Sequence, residues 1–169
     1  MDEIEALIEP KISALRRYAY ALTRDDDLAD DLVQDCLEHA VRRWHLRASD
    51  QNLRAWLFTI LHNVFVSYMR CRSRRGAQVD IESIGDIPFT EASQEGRLTV
   101  RDALSGLDLL PAEQREVLLL VGVEEMSYAE AAHVLGIPIG TVMSRLSRGR
   151  ESLRRILETG RAETLRSVK

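Results

Sequence analysis

The chain has 169 residues, 45% of them hydrophobic and 30% charged, and a formal net charge of −4. That length allows one or two small domains, and the apolar fraction is that of an ordinary globular chain. No apolar run reaches membrane-spanning length, the N-terminus MDEIEALIEP lacks the charge pattern of a signal peptide, and Cys36, Cys71 and the histidines form no metal-ligand spacing. The expectation is therefore a cytoplasmic protein with no membrane insertion, reduced cysteines and no metal. A Gly-rich phosphate loop and a nucleophile elbow are both missing, so no cofactor and no catalytic residue is expected.

The acidity is local. Basic and acidic residues balance in 1–75 and again in 98–169, whereas 76–97 carries Asp80, Glu82, Asp86, Glu91 and Glu95 against Arg97. Local patches, not net charge, decide nucleic-acid binding.

In chain order, the first helix is predicted over about Ile4 to Leu22, with Ile4, Ile8, Ile12, Leu15, Ala19 and Leu22 on one side. A second helix opens at the acidic TRDDD, which suits the positive end of the helix dipole. Its core stripe is Leu28, Leu32, Val33, Cys36, Leu37, Ala40, Val41 and Trp44. Its opposite face is Asp31, Gln34, Asp35, Glu38 and Arg42, which on periodicity alone is a solvated charged face. A third helix, about Leu53 to Arg75, buries Leu57, Ile60, Leu61, Val64 and Tyr68. Its outer stripe holds Thr59, His62, Asn63, Val66 and Arg70, with Trp56 at the margin.

That third helix ends RCRSRR, which groups Arg70, Arg72, Arg74 and Arg75. Two readings stand here. Aromatics, an Asn and a basic end grip unpaired DNA by stacking and phosphate contact; alternatively the aromatics are core and the arginines complement the helix C-terminus. Phe58 and Phe65 fit the second reading, Asn63 and the arginines the first.

Residues 76–97 break every helical period with Gly76, Gly85, Pro88 and Gly96, and read as a flexible acidic linker. The chain is thus all-α, with two small domains at 1–75 and 98–169. Each is small enough for its own core to be marginal.

Residues 127–150, SYAEAAHVLGIPIGTVMSRLSRGR, have the layout of a helix-turn-helix. Ser127 and Glu130 form a capping box. The helix they start buries Tyr128, Ala131, Ala132 and Leu135, and Gly136 closes it in the left-handed conformation. Pro138 suits the first turn of the next helix. There Val142, Leu146, Leu153 and Ile156 form the buried stripe. Thr141, Ser144, Ser147 and Arg148 face the other way, with Met143 and Arg145 at the flanks. Short donors plus an arginine outward and aliphatics inward is what a base-reading helix needs.

These pieces in this order resemble the small two-domain extracytoplasmic-function (ECF) group of bacterial sigma factors. The resemblance rests on DLADDLVQDCLEHAVRRW, NLRAWLFTILHNVFVSYMRCRSRR and LPAEQREVLLLVGVEEMSYAEAAHVLGIPIGTVMSRLSRGRESLRR. It implies a sigma domain 2 that binds the β′ clamp of core RNA polymerase and opens the -10 element, and a sigma domain 4 that reads the -35 element and docks on the β flap. It assigns Asp31, Gln34 and Asp35 to the polymerase-facing surface and Asn63, with Arg70, Arg72, Arg74 and Arg75, to the -10 DNA. The loop Ala48–Asn52 takes the place where the family holds a flipped base. Ser144, Ser147 and Arg148 turn toward -35 bases, Thr141 and Arg145 toward phosphates. An anti-sigma factor is implied as a further partner. Other readings of the same residues are a sigma mimic that sequesters an anti-sigma factor and a stand-alone helix-turn-helix regulator.

Two positions depart from the family's pattern. Met143 stands where Lys or Arg is common. Glu124-Glu125-Met126 stands where a glycine commonly precedes the Ser cap, so Glu125 is expected in a glycine-like turn.

Overall fold

The computed structural model describes residues 2–48, 52–76 and 105–167, with the side chains of 160–167 left aside. The linker assigned to 76–97 lies almost wholly outside them. Among the described residues the structure is helical, in two units.

The first unit is α1 (Asp2–Thr23), α2 (Asp26–Arg42), a 3₁₀ turn (Trp44–Leu46) and α3 (Leu53–Arg74). The starts of α2 and α3 have a local cause. Asp25 caps α2 by accepting the Leu28 N–H, and Asp26 and Asp27 fill its first turn. Asn52 caps α3 by accepting from the N–H groups of Arg54 and Ala55. Arg24, with φ 56°, turns the chain sharply from α1 into α2. The three helices bury Leu15, Tyr18, Cys36, Leu57, Phe58 and Leu61 between them, with the Tyr18 and Phe58 rings 5.4 Å apart. Burial pushes the Cys36 thiol up to about 12, so it is an inert core group. Phe58 is core, as expected. Val41 is not: α2 ends at Arg42, and Val41 lies on the exposed side of its last turn. Trp44 falls in the 3₁₀ turn and packs edge-on against Trp56 at 6.0 Å.

The second unit has a helical turn at 105–108, α4 (Ala112–Leu118), a π-helical turn (Leu119–Val123), α5 (Tyr128–Leu135) and α6 (Ile139–Ser167). Val117, Leu120, Ala131, Val134, Val142 and Leu146 make its core. Gly149 lets α6 lie close to α4, because a Cβ there would stand 3.0 Å from Leu118 Cδ1.

The two units pack on each other. α3 lies against α5, and the π-helical turn against α1. The expected marginal cores are thus extended by mutual burial.

Candidate nucleic-acid interface

The helix-turn-helix is built as its local signals dictate. Ser127 Oγ accepts the Glu130 N–H at 3.1 Å, and Glu130 Oε2 accepts the Ser127 N–H at 2.8 Å. Gly136 adopts φ 64°, ψ 36° and closes α5. Glu125 takes φ 53°, the glycine-like turn that its place in the sequence required. Tyr128 corrects the sequence reading: it is partly exposed, because the covering neighbours lie over Ala131, Ala132 and Val134 instead.

On α6, Val142 and Leu146 are buried and Ser147 and Arg148 are exposed. Among the described residues Arg148 has no intramolecular partner, so its guanidinium is available. Thr141 and Ser144 are half-buried, and Ser144 Oγ donates to the Thr141 carbonyl at 3.1 Å. Arg145 differs from the rest. It is mostly covered and pairs with Glu113 of α4 at 3.3 Å, so in this state it braces α6 against α4 rather than standing free.

In the first unit Asp31, Gln34 and Asp35 form one exposed face, without ion-pair partners among the described residues. The neighbouring Asp30 is taken by Arg16 at 2.6 Å. Asn63 is exposed on α3, as are Arg70, Arg74 and Arg75, while Arg72 is half-buried. A groove of about 500 Å³ between α2 and α3 brings Asp35, Asn63 and Arg75 together, so the expected polymerase-facing and -10 residues adjoin. His62 leaves the outer stripe: it is buried, and burial lowers its pKa from the ordinary 6.5. Trp56 packs on Trp44, which makes it a packing aromatic.

Sequence reasoning missed the centre of the contact between the units. Glu124 is 1% exposed. Arg17 donates from Nε and Nη2 to its two carboxylate oxygens at 2.8 Å each, and Arg54 Nη2 donates to Oε2 at 3.0 Å. The hydrogen bonds to Glu124 raise the pKa of Arg17. The π-helical turn and the left-handed Glu125 aim Glu124 inward, since its N–H bonds to the Leu119 carbonyl at 2.9 Å. A second tie joins two helix starts: Asn52, the cap of α3, donates its side-chain amide to Glu130 of the α5 capping box. Arg24 also meets Asp108 at 3.2 Å.

A three-helix unit docked on a helix-turn-helix unit, with exposed arginines on the second helix of that motif, has the architecture of a sigma-type DNA-binding protein. Comparison with known proteins agrees over both units. The family described as the Sigma2 domain of PhyR matches residues 8–62, and Sigma-70, region 4, matches residues 101–153. The ECF RNA polymerase sigma factor EcfG of Rhodopseudomonas palustris (strain TIE-1) is 38% identical over 165 residues, 96% of this chain and 89% of that protein. SigM of Bacillus subtilis (strain 168) is 27% identical over 93% of this chain and 96% of its own length. Among solved structures, the sigma factor RpoE in complex with the anti-sigma factor NepR from Bartonella quintana superposes with a TM-score of 0.83 at 37% identity, covering 94% of this chain and 98% of that one. CnrH in complex with the cytosolic domain of CnrY gives 0.67 at 29% identity, covering 91% and 86%. The chain belongs to the ECF RNA polymerase sigma factors, which direct RNA polymerase to promoters. No described helix is long and apolar enough to cross a membrane.

Proposed function

We propose that this sigma factor works in the cytoplasm through two weak promoter contacts held together by core polymerase. Residues 98–169 read the -35 duplex, with Ser144, Ser147 and Arg148 toward bases and Thr141 toward phosphate. Arg145 joins the phosphate contact once it leaves Glu113. Residues 1–75 bind the β′ clamp through Asp31, Gln34 and Asp35, whose unpaired carboxylates suit a basic surface. The same unit captures unpaired -10 bases at Asn63, with Arg70, Arg72, Arg74 and Arg75 on the strand's phosphates. Residues 76–97 connect the two, and tethering on polymerase makes each contact effectively intramolecular. The observation that carries this reading is the free outward face of α6, with Ser147 and Arg148 exposed above a buried Val142/Leu146 stripe.

An anti-sigma factor is the expected regulator. A sigma factor of similar structure, at 37% identity, was solved in complex with the anti-sigma factor NepR. The match of residues 8–62 to the Sigma2 domain of PhyR, a protein named an anti-anti-sigma factor in its solved complex with NepR, favours a second reading, a decoy that occupies an anti-sigma factor. Arg148→Ala separates them. As a sigma factor, the variant keeps core-polymerase binding and loses promoter choice in run-off transcription. A decoy forms no promoter-specific transcript with or without Arg148.

A further inference from the structure

Two large aliphatic side chains stand in the open on the recognition helix. Ile139 is 47% exposed and Met143 52%. Four residues apart, they lie one above the other on α6, about 40° apart around its axis. Gly140 and Ser147 continue this side of the helix outward, and the buried Leu146 borders it on the other side, about 20° around the axis from Ile139. Neither is one of the buried residues of the core.

Gly140 is the second observation. A Cβ there would meet nothing within 4 Å, and its φ is not positive. Neither internal packing nor backbone conformation calls for glycine at this position, and glycine weakens a helix. What its missing side chain does provide is close approach of an outside surface to the first turn of α6.

The charges around the patch indicate which surface. Arg148 and Arg150 are exposed and have no intramolecular partner among the described residues. The one acid on this face, Glu151, is neutralised by Arg154 at 3.1 Å and Arg155 at 3.0 Å. An apolar pair in line with the unpaired Arg150, on a helix whose outward side carries Arg148, matches a groove whose walls are phosphates and whose floor offers an apolar group. In the DNA major groove that group is the C5-methyl of thymine.

We propose that Met143 and Ile139 read thymine methyl groups in the upstream promoter duplex. One or two base pairs would then be specified by an apolar contact, with no hydrogen bond to the base. This rests on α6 being the recognition helix, and it makes Met143 a specificity-determining residue where a lysine or arginine would supply only a phosphate contact.

The test uses the full chain bound to core polymerase. A duplex selected by this holoenzyme from a random pool is remade with each thymine replaced in turn by deoxyuridine, which lacks only the methyl. Binding should weaken by about fourfold at one or two positions, the worth of one buried methyl group. That sensitivity should vanish in Met143→Ala or Ile139→Ala, while a position read by Arg148 keeps its preference. Specific binding with no deoxyuridine-sensitive position overturns the proposal. So does sensitivity that survives both substitutions, or a Met143→Ala defect confined to polymerase binding. Failure to select any duplex sequence would instead overturn the assignment of α6 itself, and is a separate result.

Discussion

The Glu124 contact sets how firmly the two units hold each other. Replacing Arg17 and Arg54 with alanine removes all three hydrogen bonds to a carboxylate that is 1% exposed. The arginine side chains are themselves 54% and 33% exposed, so water screens them, and each bond is worth about 1 kcal/mol or less rather than the full charge-assisted value. Leaving the carboxylate buried and unpaired adds about 1–3 kcal/mol. The chain escapes that penalty by parting its units and letting water reach Glu124. A combined effect of about 3 kcal/mol shifts the packed arrangement toward the separated one by roughly 150-fold. The assay is energy transfer between a dye on the exposed Cys71 and one on a cysteine introduced by Arg154→Cys. Cys36 does not compete for the label, being buried with its thiol pushed up to about 12. Transfer should fall sharply in the double variant. It should fall less in Glu124→Gln, which keeps the shape and the acceptor but loses the charge. Unchanged transfer in the Arg17→Ala/Arg54→Ala chain would refute the reasoning.

The remaining predictions concern stability. Ser127→Ala removes one half of the capping box and should lower unfolding free energy by about 1 kcal/mol, read from urea denaturation. Gly136→Val forces a β-branched residue to φ 64° and should cost about 1–2 kcal/mol by the same measurement. His62 is kept neutral by burial, with its pKa below the ordinary 6.5. The unfolded chain takes up a proton near pH 6.5 and the folded chain does not, so stability declines as pH falls below that value. His62→Gln should show a smaller loss of melting temperature between pH 7.5 and pH 5.5 than the parent chain; an identical loss would remove His62 as the cause.

What could be read from the sequence was set by distance along the chain. The acidic TRDDD start of α2, the Ser127/Glu130 box, the left-handed Gly136 and the glycine-like turn at Glu125 all involve residues within a few positions of each other. Helical periodicity placed Val142 and Leu146 inside and Ser147 and Arg148 outside, because the angle between residues on one helix is fixed. Periodicity does not say which neighbour covers a given side. That is why Tyr128 and Val41 proved more exposed than expected, His62 buried, and Arg145 engaged by Glu113. The Glu124 cluster was illegible for a further reason: Arg17 and Arg54 lie 107 and 70 residues away, and no local pattern pairs an acid with bases at such separations. The fold and the outward side of α6 were therefore open to local reasoning, and the contact between the units was not.

The central claim is that this chain gives core polymerase a promoter preference. The direct measurement is in vitro transcription with purified core polymerase and fragmented genomic template, with transcript starts mapped with and without the protein. The account predicts new starts that depend on the protein and share one upstream and one downstream sequence element, and that are lost with Arg148→Ala. If the protein binds core polymerase and yields no promoter-specific transcript from any template, the account is contradicted.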